Sequence, residues 1–213
     1  PIPLIRGLPA EPTHEQRKAL AAAAANYGCA LLYLEGHGET PPGDFQDRLV
    51  FSPEALSQRY EELRPRQPVS LVVIGCPQAS VAELRAAAVW LKGKQVGRGE
   101  DDPAGRVPLW LFTSSANKAI AERIGLAELI RASGALLLEN TCPEVVPYDP
   151  IWVKHILTNS MKAEHYLKSG LNRIPASVMR LPECVALAAG EMAGSYQPSA
   201  ISHQLSATSH QPP

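Results

Sequence analysis

The chain has 213 residues, 45% hydrophobic and 19% charged, with Lys plus Arg 20 against Asp plus Glu 21 and a formal net charge of -1. This is a globular composition, long enough to bury a core. The even charge excludes the basic footprint of a nucleic-acid or anionic-membrane binder, and 6% aromatics argue against a stacking platform for single strands.

In chain order, Pro1-Ile2-Pro3-Leu4 shows neither an initiator Met nor a basic stretch ahead of an apolar one. It reads as a processed chain or a piece of something longer, without a secretory signal. Residues 13–27 are Ala-rich and open with Thr13-x-x-Gln16, a capping box, so a helix is expected there. Residues 29–34 (CALLYL) read as a buried strand, followed by a Gly-rich turn around His37. Arg64-Pro65-Arg66-Gln67-Pro68 is a linker. It divides an N-terminal α/β segment, 1–63, from a regular domain, 69–192.

Within that domain, residues 70–74, 108–112, 135–138 and 153–157 are short apolar runs bounded by Gly, Pro or Asn. Such runs suit strands covered on both faces. Helical patterns alternate with them: a second capping box at Ser80-x-x-Glu83, then 116–124, 127–133 and 161–168, with Gly125, Gly134 and Gly170 as stops. The predicted fold is α/β, a mostly parallel sheet with helices on both faces and right-handed crossovers. From Ala193 onward the polar Ser, Gln and Pro-rich sequence has no periodicity and predicts a disordered tail. No apolar run is long enough to span a membrane.

Ligands of open parallel sheets collect at the carboxyl ends of strands. Those ends carry Cys76, Thr113-Ser114, Thr141-Cys142 and the run Thr158-Asn159-Ser160-Met161-Lys162-Ala163-Glu164-His165-Tyr166. Cys76 and Cys142, each between a strand and a helix start, read either as apolar filler or as low-pKa thiols able to hold an iron–sulfur cluster or attack an electrophile. Cys29 in a strand, Cys184 in an apolar helix and His155 in a strand read as core. The run from Thr158 reads as an anion site with Lys162 supplying charge, or as an ordinary helix cap. The wide cysteine spacing gives neither a zinc knuckle nor a disulfide framework, which points to reduced thiols and a cytoplasmic protein. Walker, dinucleotide-binding, zinc-protease and nucleophile-elbow signatures are absent.

Four segments carry a family resemblance. Ile74-Gly75-Cys76-Pro77-Gln78-Ala79-Ser80-x-x-Glu83, Pro108-Leu109-Trp110 with Thr113-Ser114, Asn140-Thr141-Cys142 and Thr158-Asn159-Ser160-x-Lys162-x-x-His165-Tyr166 resemble aconitase X motifs in order and spacing. Ile5-Arg6-Gly7-Leu8-Pro9 and Gly38-x-Thr40-Pro41 are similar to two more. The resemblance implies an aconitase-like fold and a hydro-lyase that dehydrates a small hydroxy acid of the 3-hydroxyproline or mevalonate 5-phosphate kind. It implies an iron–sulfur cluster with Cys76 and Cys142 as ligands, Ser160 or Lys162 as the group that takes the proton, and Thr113, Ser114, Thr141, Thr158, Asn159 and His165 around the substrate. The pattern departs at Gln78 (His in the family), Ser115 (Arg), Asn140 (Asp) and Pro42 (Glu). The family's large region is also about twice as long, so a further N-terminal segment or partner chain, a third thiolate and a small swivelling subunit or domain are expected. The competing expectation is a non-catalytic interaction protein that kept the fold.

Overall fold

The computed structural model describes residues 2–8, 12–38, 45, 47–99 and 102–192. The turn at residues 39–42, Pro9 and the tail from 193, on which some of the expectations above rest, lie outside the described residues.

The regular domain is built on a parallel sheet of five strands. They are β3 (Leu71–Ala79), β4 (Leu109–Thr113), β5 (Leu136–Glu139), β6 (Ile156–Thr158) and β7 (Ala176–Val178), in the spatial order β5-β4-β3-β6-β7. All four pairings are parallel. Strand alternation sends Val72, Ile74, Leu109, Leu111, Leu137 and Leu157 to one face, and Leu71, Val73, Phe112 and Ile156 to the other. Both sets are buried, as the continuous apolar runs predict. The first face is covered by α3 (Val81–Leu91), α4 (Ser115–Arg123), α5 (Leu126–Ala132) and α7 (Leu181–Ala188). The second is covered by α6 (Met161–Ser169) and by the crossover from β5 to β6.

Two features refine the expected alternation. The β5–β6 crossover contains no helix; Tyr148, Val153 and Trp152 pack from it onto the sheet, with Tyr148 stacked on Trp110 at 5.9 Å between ring centroids. Strand β7, too short and too polar at Ser177 to announce itself, is held by its pairing with β6. The order of strands reverses direction at β3, so β3 and β6 flank a topological switch point.

The N-terminal segment contributes little to the core. It comprises β1 (Leu4–Ile5), α1 (His14–Asn26), β2 (Tyr33–Leu34) and α2 (Pro53–Leu63). The capping box at Thr13 and Gln16 is formed, with Thr13 N–H donating to Gln16 Oε1 at 2.8 Å. The buried strand expected over 29–34 is not. Only Tyr33 and Leu34 pair, with β1, while Cys29 is half-buried and Leu31 is 64% exposed. The reason is local: Gly28, at φ +78°, ends α1, and Cys29 N–H still donates to Ala24 O in its last turn. Cys184, by contrast, is fully buried, with its thiol donating to Met179 O at 3.5 Å.

His155 is a core histidine, as expected. Nε2 lies 2.8 Å from Ser177 Oγ, Nδ1 lies 3.2 Å from Gln67 O, and burial holds its pKa below the usual histidine range. Because the folded-state pKa is depressed, the neutral ring stabilises the fold fully above the unfolded value of about 6.5, and that contribution is lost as pH falls through the folded value. Urea denaturation at pH about 7.5 and about 5 should show a drop in stability that His155→Gln reduces.

Gly75 has φ +103°, and a Cβ there would stand 2.2 Å from the Phe112 carbonyl oxygen. Gly93, at φ +75°, has open space around its Cβ position. Gly93→Ala should therefore cost only about 1–2 kcal/mol for the backbone conformation. Gly75→Ala should cost roughly 3 kcal/mol or more, because β3 must move off β4. Equilibrium unfolding of the two variants checks the difference.

Candidate functional site

The site begins with an irregularity in β3. The strand runs with β4 through Ile74↔Leu111, leaves the regular register, and rejoins it at Ala79↔Thr113. Gly75-Cys76-Pro77-Gln78 bulges out between those points, with a cis Cys76–Pro77 peptide. Across the switch point, β6 ends at Thr158 and the chain turns into α6.

Ser160 joins the two. It is the N-cap of α6, accepting from Ala163 N–H at 3.1 Å, and its hydroxyl donates to the Cys76 carbonyl. Its own N–H donates to Thr158 Oγ1 at 3.3 Å. Thr158 and Thr113 are wholly buried, and Thr113 Oγ1 donates to Ala79 O at 2.7 Å, where the bulge closes. Both threonines thus hold the turns from behind. Ser114 is the N-cap of α4, accepting from Asn117 N–H at 3.2 Å.

Cys142 follows β5, and β4 lies between β5 and β3, so the two thiols do not sit on adjacent strands. The crossover nonetheless folds back toward the bulge. Gln78 Nε2 donates to Thr141 O at 3.0 Å, and the Cys142 thiol is near enough to act on the charge of Cys76. Both are half-buried free thiols. The sequence suggested a lowered pKa for Cys76; the structure reverses this, because burial pushes it up to about 11. The Lys162 ammonium and the Ser160 hydroxyl pull it down, while Cys142 and Glu144 add to the rise.

Lys162, on the first turn of α6, is half-buried and lies 6.0 Å from the Tyr166 ring centroid. His165 is set between two rings, 5.6 Å from Tyr27 and 5.3 Å from Tyr166, and so ties the end of α1 to α6. Asn159 is exposed at the mouth of the turn. Ser160, Lys162, Cys76, Cys142, Thr141 and Asn159 therefore lie around one junction; His165 sits farther along α6, on its aromatic side, and Ser114 belongs to the α4 end.

Four residues of this neighbourhood were not singled out from sequence. Tyr148, buried, donates to Pro143 O at 2.8 Å, and burial raises its pKa. Glu144 accepts from Leu171 N–H at 2.6 Å through Oε1, while Oε2 is buried without a hydrogen-bond partner. Its place two residues after Cys142 was the one available signal. Lys18 donates to Gln78 O at 3.0 Å and pairs with Glu83. Glu15 accepts from Ser80 Oγ at 3.0 Å, and its pKa is lowered by its own backbone N–H and then by Ser80. Nothing in the spacing of α1 announces that it braces the bulge.

The positions where the sequence departs from the resembled pattern have structural uses. Asn140 takes φ +55°, which asparagine tolerates, and its Oδ1 accepts from Ser115 N–H at 3.0 Å, adding to the cap of α4. Gln78 bridges the bulge to Thr141. Among the described residues no three His, Cys, Asp or Glu side chains are grouped as a metal site. Two thiols are an incomplete donor set for an iron–sulfur cluster. No helix is long and apolar enough to cross a membrane among the described residues.

Comparison with known proteins places the fold among known ones. Residues 69–190 match the model of the aconitase X third domain. The chain is 30% identical over 165 residues to the phosphomevalonate dehydratase large subunit of Methanocaldococcus jannaschii, covering 74% of this chain and 39% of that subunit. It is 27% identical over 183 residues to the cis-3-hydroxy-L-proline dehydratase of Hypocrea jecorina, covering 78% of this chain and 29% of that enzyme. The crystal structure of holo aconitase X from Thermococcus kodakaraensis superimposes with a TM-score of 0.72 at 25% identity, covering 88% of this chain and 47% of that one. The chain thus spans less than half the length of these relatives. A sheet with this switch point and a matching family model over most of the regular domain place the chain in the aconitase X family.

Proposed function

We propose that this chain is part of an aconitase X-like hydro-lyase acting on a small hydroxy acid, of the mevalonate 5-phosphate or 3-hydroxyproline class. The observation that carries the reading is the meeting of Ser160, Lys162, Cys76 and Cys142 at the β3–β6 switch point. The names of the matched dehydratases support it. Because the chain spans 39% of the Methanocaldococcus jannaschii subunit, the activity requires further polypeptide, as a preceding segment or partner chain and a small swivelling subunit or domain.

Dehydration removes a proton from the carbon beside the substrate carboxylate and the hydroxyl from the neighbouring carbon, and releases water. An anionic substrate group is held at the N-terminus of α6 by Lys162 and by Asn159 and Thr141 around it. Ser114 and His165 border the same end of the sheet. Thr113 and Thr158 position these groups rather than touch the ligand. Ser160 and Lys162 handle the proton: the Ser160 hydroxyl, now on the Cys76 carbonyl, first gives its own proton to solvent, the Lys162 ammonium favouring the alkoxide, and that oxygen then takes the proton from the substrate carbon. Cys76 and Cys142 would supply two thiolates to an iron–sulfur cluster, a Lewis acid for a leaving hydroxyl, with a remaining ligand from outside the described residues. Ligation would have to overcome the raised Cys76 pKa, and a reducing compartment such as the cytoplasm suits four free thiols.

One observation favours the second reading, a non-catalytic interaction protein. Gln78 and Asn140 stand where the family pattern has titratable groups, and both are engaged in holding the fold.

Two measurements separate the readings. In the complemented assembly, Ser160→Ala and Lys162→Met should each lower kcat by roughly 10²–10⁴-fold with the fold intact by circular dichroism. Unchanged turnover would sink their assignment. Anaerobic purification with the complementing polypeptide should yield iron and sulfide, and Cys76→Ser or Cys142→Ser should remove them. Metal content indifferent to both substitutions would exclude the two thiols as ligands.

A further inference from the structure

The N-terminal segment has the form of a fragment of a larger sheet. Strands β1 and β2 pair in parallel, Leu4↔Tyr33 and Ile5↔Leu34, as an isolated two-stranded sheet. Parallel sheets are ordinarily covered on both faces, and two strands alone are marginal in water. Here neither strand is buried. Of the described residues before 64, only Pro12 and Ala22 are buried. Meanwhile Leu31 is 64% exposed, and the consecutive Leu49, Val50 and Phe51 are 98%, 77% and 68% exposed. Polar contacts help attach the segment to the regular domain, Lys18 on Glu83, Glu15 on Ser80, Arg64 on Glu183, and Arg180 over the Tyr60 ring at 4.9 Å, beside the Tyr27–His165 ring contact.

The two edges of this small sheet differ. The outer edge of β2 is closed by its own turn, with His37 N–H donating to Leu34 O at 3.0 Å. On β1, the Pro3 and Ile5 carbonyls accept from Tyr33 and Glu35 at 2.9 and 3.0 Å. Alternation along the strand therefore points the Leu4 N–H and C=O away from β2. No described residue pairs on that side. The outer edge of β1 is an open template for one more strand.

We propose that this edge, with the exposed Leu31 and Leu49–Phe51 side chains, is where a strand of the remaining aconitase X large-subunit polypeptide adds to the sheet. That occupant is favoured by length: 39% of the Methanocaldococcus jannaschii subunit is matched, so most of it has no counterpart here. It is also favoured by chemistry, since an open parallel edge takes an extended main chain and the exposed side chains take an apolar cover. This inference rests on the reading of the chain as part of a large subunit, not on the identity of its reaction.

The test coexpresses the full 213-residue chain with the unmatched portion of the Methanocaldococcus jannaschii large subunit as a separate polypeptide. Light scattering should find a one-to-one complex, and hydrogen exchange should show the Leu4 amide slowed in it. Leu4→Pro removes the outward N–H while sparing the bonds to β2, and proline suits an edge strand. It should weaken the complex by about 5-fold or more, with thermal unfolding of the isolated chain unchanged. Leu49→Glu should weaken it as well. Absence of a complex, a complex that leaves Leu4 exchange unchanged, or the same protection in self-associated chains alone would each overturn the proposal. A complex that forms as expected but has no dehydratase activity once the small swivelling subunit is also supplied would overturn the proposed reaction and leave this docking edge standing.

Discussion

The hydrogen bond from the Ser160 hydroxyl to the Cys76 carbonyl is the contact on which the rest of the site depends. It spans the gap between β3 and β6, where the order of strands reverses and the two C-terminal ends diverge. A diverging gap between parallel strands leaves main-chain groups without ladder partners. Here one side chain answers for both sides, since Ser160 also accepts from Ala163 N–H at the start of α6. The bulge at residues 75–78, the N-terminus of α6 and the position of Lys162 are thereby fixed relative to one another. Gly75 makes the bulge possible, because any side chain there would meet the Phe112 carbonyl.

The electrostatic character of the junction follows from its half-buried state. Burial favours the neutral thiol of Cys76, and the neighbouring Cys142 and Glu144 reinforce that preference. Lys162 and Ser160 oppose it. Added positive charge, such as a metal centre or a bound cation would supply, favours the thiolate here. The buried, unpartnered Glu144 Oε2 is a second group in the same neighbourhood whose partner is not among the described side chains. Both groups lie in a chain that spans less than half the length of its relatives.

Much of the regular domain was legible in the sequence. The apolar runs of β3, β4, β5 and β6, the capping boxes at Thr13 and Ser80, and the glycine stops are local signals, and the observed elements follow them within a few residues. Cys184 and His155 were legible as core because each stands in a mostly apolar helix or strand segment. The failure at residues 29–34 is instructive. An apolar run makes a buried strand only if something covers it, and here, among the described residues, only Tyr33 and Leu34 of the run find a strand partner after the chain leaves α1. Strand β7 failed the other way: Ala176–Val178 has little pattern of its own and is a strand because β6 lies beside it.

The sequence by itself determined the α/β alternation, the two buried faces of the sheet and the motif residues at strand ends, because each depends on local periodicity, turn chemistry or residue type. Only the tertiary structure decided which strand ends meet. The order β5-β4-β3-β6-β7 brings Ser160 to Cys76, and a helix-free crossover carries Cys142 back past β4 toward the same point. It also decided the state of the Cys76 thiol. A strand-to-helix turn suggests a low pKa, but the number of atoms packed around the sulfur sets the outcome, and burial outweighs the nearby ammonium.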